Sequence, residues 1–274
     1  MDQHLRVIAR KLELMELERS EPGQKYLVRN QLHPRRVELA GLRFELAALL
    51  RKGSKKPYKF MILSRPRSGS TLLTRLLAQH PEVDCRGELF NRNLVSPYRF
   101  AENLASSAQT QVWGFKALSY QLVDIHRISA PVEFFLRLSG NGWRFLHLRR
   151  NTFDQTLSLM TAAKTGRWHS DQSSLYVDKG NVVSINANDF VLKYRWNQKF
   201  LSWEDDLMSC FPHVVIDYDR QLSDESCHQT TMDQVFQAFG VTSVPIKSSL
   251  RKVLSDQRTQ VGNIDDLRRC VGLI

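Results

Sequence analysis

YKFMILSRPRSGSTLLTRLLAQH, Tyr58 to His80, carries the change of hydrophobic period from which the fold can be read. Phe60 to Leu63 is an unbroken apolar run, suited to a short strand buried on both faces. Leu72, Leu73, Leu76 and Leu77 then recur at helical spacing. Between them lie small and basic residues, Ser64 to Ser70, so the order is strand, turn, helix. The start of such a helix offers unpaired backbone N–H groups and the positive end of its dipole, and Gly69 lets the backbone approach a ligand closely. Arg65 and Arg67, with the hydroxyls of Ser68, Ser70 and Thr71, add charged and neutral donors. The turn is built to cradle a phosphate or sulfate.

Working outward, the remaining strands are expected at Val83–Leu89, Val112–Leu118, Trp143–Leu148 and Val214–Tyr218. Helices are expected from Pro131 to Leu138, from behind Asn151 to Lys164 with Gly166 closing it, and from Met232 to Phe239. A long one runs from a cap at Asn188 through Trp196 and Trp203 to Met208. This alternation predicts an α/β fold with a mostly parallel central sheet flanked by helices. The fold is P-loop-like, yet the Walker A spelling G-x-x-x-x-G-K-[ST] is absent, because no lysine follows Gly69. Residues 58–274 form this domain. Residues 1–57 read as a helical N-terminal extension: Leu5, Ile8, Leu12 and Met15 share a helix face, Glu21-Pro22-Gly23 breaks it, and Arg51 to Pro57 is a basic linker. The extension is expected to pack as a lid on the domain rather than to act as a membrane-surface arm.

A hydrophobic share of 42% with 24% charged residues fits a globular protein, and the net charge of +11 favours a polyanionic partner. No nucleic-acid motif appears and the basic residues are scattered, which points to an anionic nucleotide and away from DNA or RNA. The four cysteines, Cys85, Cys210, Cys227 and Cys270, form no C-x-x-C pair, so reduced thiols and no metal site are expected. No apolar run reaches the roughly 18–20 residues of a membrane span, and the first residues lack a signal-peptide core. A soluble, cytoplasmic protein is expected, with homo-oligomerisation left open.

Ligands of open α/β sheets bind beyond the carboxyl ends of the strands. Arg150 lies just past one strand and Ser158 two turns into the next helix, so arginine and serine can converge on one phosphate close to the first cradle.

These two constellations resemble those of sulfotransferases that use phosphoadenosine phosphosulfate (PAPS). Arg65-Pro66-Arg67-Ser68-Gly69-Ser70-Thr71-Leu72-Leu73 is similar to the phosphosulfate loop in the R-P-R-[ST]-G-S-x-L-L spelling of the trehalose and nodulation-factor enzymes. Arg150 and Ser158 stand at the spacing at which the family holds the 3'-phosphate of PAPS. Gly87-Glu88-Leu89-Phe90-Asn91 resembles the G-E-[LI]-F-N run of the nodulation-factor type, and Thr165-Gly166-Arg167-Trp168-His169 the T-G-x-W-H stretch of the trehalose type. Ile216 to Leu222 resembles a run after a late strand, and Arg258 to Leu267 a tail segment that closes over the nucleotide. The resemblance spans Tyr58 to Leu267.

The resemblance implies a sulfotransferase fold and in-line transfer of a sulfuryl group from PAPS, as co-substrate, to a hydroxyl acceptor, a carbohydrate or glycolipid by analogy, without metal. It places Arg65, Arg67, Ser68, Gly69, Ser70, Thr71, Arg150, Ser158, Arg258 and Thr259 on the nucleotide. Arg67 takes the place of the basic group at the leaving oxygen, and Lys116, at a strand end, is within reach of the sulfuryl oxygens. Glu88 is the candidate general base, with His169 competing for that role. Among the tryptophans, Trp113 and Trp196 are expected in the core, and Trp168 alone is a candidate for stacking on a ligand. Two other functions stay open: a nucleoside-triphosphate phosphotransferase, opposed by the missing Walker lysine, and a non-catalytic basic nucleotide-binding protein.

Overall fold

A computed structural model describes residues 43, 46–47, 56–92, 94–126, 131–166, 182–247 and 261–274. The helical extension and basic linker fall almost wholly outside the described residues, as do His169, Trp168, Arg258 and Thr259.

The apolar run becomes strand β1 (Tyr58–Ser64), and the leucine stripe becomes helix α1 (Ser70–Leu77). Then follow β2 (Val83–Glu88), α2 (Pro97–Ser106), β3 (Val112–Leu118), a π-helical turn (Gln121–Ile125) and α3 (Pro131–Gly140). The chain continues through β4 (Trp143–Arg149), α4 (Thr152–Thr165), α5 (Ala187–Met208), β5 (His213–Asp217) and a second π-helical turn (Tyr218–Leu222). A short 3-10 turn (Glu225–Cys227) leads into α6 (His228–Phe239), and α7 (Ile264–Cys270) lies near the C-terminus.

The five strands form one sheet in the order β2-β3-β1-β4-β5, and every pairing is parallel. The expected α/β architecture is thus what the protein adopts. Period-2 alternation sends the side chains of β1 to two cores. Met61 and Leu63 join Phe115, Trp143 and Phe145 under α2, α3 and α5, whereas Phe60 and Ile62 join Leu146, Leu148 and Ile216 under α1 and α6. Full burial of each such side chain is worth about 1.5–3 kcal/mol. Gly114 permits this packing, since a Cβ there would stand 2.4 Å from the Phe60 ring and 2.5 Å from the Phe60 carbonyl oxygen. Trp113 and Trp196 belong to the first core, as their sequence context implied.

Helix α5 is capped two residues earlier than expected. Asn186, not Asn188, supplies the side-chain oxygen, which accepts the Asp189 N–H at 3.1 Å. Its reach to the third helical amide, with the acidic Asp189 in the first turn, makes it the better terminus. A third, smaller core joins α4, α5 and α7 through Phe153, Leu157, Phe190 and Leu267. Asn263 clasps Ile185 there, donating to its carbonyl at 2.7 Å and accepting its N–H at 3.1 Å.

Because the sheet is parallel, all carboxyl ends lie along one edge. Ser64 is level with Leu118 and Leu148, Glu88 with Lys116, and Arg149 with Asp217. The segments leaving these ends are therefore neighbours, in the strand order, along a single rim.

Candidate active site

At the centre of that rim is the turn between β1 and α1. Arg67 has φ 64°, the one left-handed non-glycine residue among those described, and Gly69 follows at φ 91°. Such a backbone costs on the order of 1–3 kcal/mol at Arg67 and persists only if its surroundings hold it. They do so from several sides. Ser68 Oγ donates to the Arg65 carbonyl at 2.7 Å, Gln155 of α4 donates to the Pro66 carbonyl at 2.7 Å, and Arg150 Nη1 donates to the Arg67 carbonyl at 2.8 Å. The Tyr218 ring lies so close to Gly69 that a Cβ would stand 2.2 Å from its Cδ2.

Arg67, Arg150 and Ser158 meet on the β4 side of the turn. Arg67 Nε donates to Ser158 Oγ at 3.0 Å, and the Arg150 guanidinium lies over the Tyr218 ring, 4.6 Å from its centroid. Arginine and serine thus reach one place from two ends of a helical start, with Arg67 between them. The Arg67 pKa is lowered, first by burial and then by the like charge of Arg150. Among the described residues Arg150 makes no ion pair with a carboxylate, and its buried Nε has no hydrogen-bond partner. The arrangement concentrates positive charge beside the amino end of α1, where the backbone amides of Ser68 to Thr71 begin a helix.

On the β3 side a second cluster touches the same helix. Lys116 Nζ donates to Thr71 Oγ1 at 3.1 Å and pairs with Glu88 Oε1 at 3.2 Å. Gln121 Nε2 donates to Glu88 Oε2 at 2.8 Å. Lys116 is almost fully buried, while a quarter of the Glu88 side chain remains exposed. Each carboxylate oxygen holds one of these donors and retains capacity for another.

Arg65 occupies a different position from its neighbours in the turn. Its side chain is 1% exposed; Nη1 donates to the Asn197 carbonyl at 2.8 Å and Nε stands 3.4 Å from Glu204 Oε2. The buried carboxylate of α5 draws the guanidinium inward, so the Arg65 side chain lies in the interior beneath the turn. Gln121, Gln155, Glu204 and Tyr218 were not singled out for roles by sequence. A polar residue shortly past a strand's carboxyl end is the signal that Gln121 offered, whereas Tyr218 falls within the Ile216–Leu222 run that resembles the family.

A family model described as Sulfotransferase family matches residues 59–132. This supports the sulfotransferase family over the stretch that holds the turn, Glu88, Lys116 and Gln121; Arg150 and Ser158 lie beyond the match. No curated protein matches the chain. Among solved structures, a sulfotransferase from Alicyclobacillus acidocaldarius shares 13% identity, with a TM-score of 0.49 over 80% of this chain and 94% of that one. The sulfotransferase STF9 from Mycobacterium avium shares 12% identity, with a TM-score of 0.49 over 99% of this chain and 95% of that one. Mouse sulfotransferase SULT7A1, solved in complex with PAP, shares 12% identity, with a TM-score of 0.44 over 75% of this chain and 66% of that one.

Proposed function

We propose that this chain is a PAPS-dependent sulfotransferase that transfers the sulfuryl group to a hydroxyl acceptor, with a carbohydrate or glycolipid alcohol the preferred class. The observation that carries the proposal is the pairing of Arg67 and Arg150 on a left-handed turn, where Arg150 has no carboxylate partner among the described residues and keeps an unpartnered buried Nε. Two adjacent guanidiniums repel each other at a cost that a bound dianion would remove. PAPS supplies two such anionic groups. Its 3'-phosphate suits Arg150 and Ser158, and its 5'-phosphosulfate suits the amides from Ser68 to Thr71, with Arg67 beside the bridging oxygen.

In the transfer, the acceptor oxygen forms a bond to sulfur as the bond from sulfur to the bridging phosphate oxygen breaks. That oxygen keeps the electron pair, and Arg67 with the turn amides stabilises the charge it gains. The acceptor proton passes to the Glu88 carboxylate. Lys116, already bonded to Thr71 and Glu88, stands between donor turn and base, where its charge favours the sulfuryl oxygens. His169 is retained as the alternative base, and Arg258 and Thr259 as further nucleotide contacts.

Calorimetric titration with adenosine 3',5'-bisphosphate, beside ATP in a chelator, tests the donor site. Tight bisphosphate binding that weakens roughly tenfold to 150-fold in Arg150→Ala is expected, since a charge-assisted hydrogen bond contributes about 1.5–3 kcal/mol. Absence of bisphosphate binding, or preference for Mg·ATP, would sink the proposal in favour of a phosphotransferase.

A further inference from the structure

We infer that Gln121 is the positioning residue for Glu88, and that the π-helical turn after β3 exists to hold it there; the inference rests on the sulfuryl-transfer function proposed above. The Gln121 side chain is fully buried at the first position of the turn Gln121–Ile125. Its two ends have different duties. Oε1 accepts the Leu118 backbone N–H at 3.0 Å, the amide of the last residue of β3. A backbone N–H can only donate, so this bond fixes which way the carboxamide faces, and the NH2 group is left to donate to Glu88 Oε2. Gln121 is therefore a ruler between the end of β3 and the carboxylate at the end of β2.

The far end of the same turn secures the chain just beyond Glu88. His126 N–H donates to the Gln121 carbonyl at 3.0 Å, and His126 Nε2 bonds the Phe90 carbonyl at 3.0 Å. The Phe90 and His126 rings meet edge to face at 5.4 Å. Glu88 and Phe90 are thus tied to a five-residue turn and its cap, His126, where the wider hydrogen-bond pattern departs from an ordinary helix. On its other oxygen Glu88 meets Lys116, which reaches on to Thr71 of the phosphate-binding helix. Gln121 and Lys116 together leave the carboxylate one orientation, while Gln121 touches no residue of the Arg67–Arg150 cluster in its own hydrogen bonds. Orientation of the base and affinity for the nucleotide are accordingly separable.

The test is a double-mutant cycle on the full chain, read as adenosine 3',5'-bisphosphate formed from PAPS across a panel of carbohydrate and glycolipid alcohols, alongside bisphosphate titration. Gln121→Leu is expected to lower turnover roughly tenfold to a hundredfold, and Glu88→Gln roughly a hundredfold or more, the range for loss of a general base. KM for PAPS and bisphosphate affinity should stay within about twofold in both. In the double variant, Gln121→Leu should add no further loss, because there is no base left to orient. Gln121→Glu, which faces one carboxylate with another, should fail to restore turnover. Multiplying losses in the double variant, or a parallel loss of bisphosphate affinity, would overturn the role of Gln121 alone. A wild-type protein that binds bisphosphate but turns over no PAPS with any alcohol of the panel would overturn the transfer function and this inference with it.

Discussion

Gly69 carries two demands that no other residue meets together. Its φ of 91° is open to glycine, and the space where a Cβ would go is filled by the Tyr218 ring. Tyr218 is held in turn under the Arg150 guanidinium, so displacing the ring disturbs the arginine. Gly69→Ala is expected to cost more than about 1 kcal/mol in stability and to weaken bisphosphate binding roughly tenfold. Thermal unfolding and titration check it, and unchanged affinity in a folded variant would separate Tyr218 from the site. The same turn shows what a sequence can reveal at this scale. Arg67, Arg150 and Ser158 were legible because strand-to-helix junctions bring such residues to one rim. Arg65 was not, because nothing adjacent to it announces that Glu204, far along the chain, draws its side chain into the interior. Gln121 was likewise hidden, since its bonds depend on the registry between β2 and β3.

Among the elements, α5 contributes to the site from beneath the turn. It supplies Glu204 and the Asn197 carbonyl to Arg65, and Asn197 Nδ2 also donates to Thr156 Oγ1 of α4 at 2.8 Å. Burial pulls the Arg65 pKa below its ordinary value, and the Glu204 charge opposes that shift without cancelling it. Glu204 Oε2 also lies 3.4 Å from His147 Nε2 on β4, so one carboxylate joins the turn, the helix and the sheet. Glu204→Leu strands a buried guanidinium and should cost about 3–5 kcal/mol, whereas Arg65→Met with Glu204→Leu together should recover most of it. Urea unfolding of the single and double variants decides this; a single variant within about 1 kcal/mol of wild type would reduce the pair to a bystander. The elements themselves were mostly readable, because long apolar runs and leucine stripes declare their period. The start of α5 was misplaced by two residues because Asn186 and Asn188 both have a capping side chain, and only the position of the first helical turn selects between them. The π-helical turns at Gln121 and Tyr218 left no periodic trace, being too short to complete a pattern.

For the molecule as a whole, the proton balance links the candidate site to acid stability. Burial pushes the His126 pKa down from 6.5 to about 4, against the opposing pull of its bond to the Phe90 carbonyl. Between those two values the unfolded chain binds a proton at this site that the folded chain does not. Stability therefore rises with pH across the window, and the contribution is complete above pH 6.5 and is lost as pH falls toward 4. A shift of this size corresponds to roughly 3 kcal/mol. Asp205, whose pKa burial raises, acts in the opposite sense, so the decisive quantity is the difference between wild type and a variant. His126→Gln keeps a side-chain N–H able to reach the Phe90 carbonyl but cannot titrate. Unfolding free energies at pH 7.5 and pH 5 should differ less for His126→Gln than for wild type, by about 1–2 kcal/mol. Since His126 closes the turn that begins with Gln121, the acid-induced loss should also be accompanied by loss of turnover before loss of bisphosphate binding. Equal pH dependence in wild type and variant would show that the buried ring is protonated without cost, and would remove His126 from the support of Glu88.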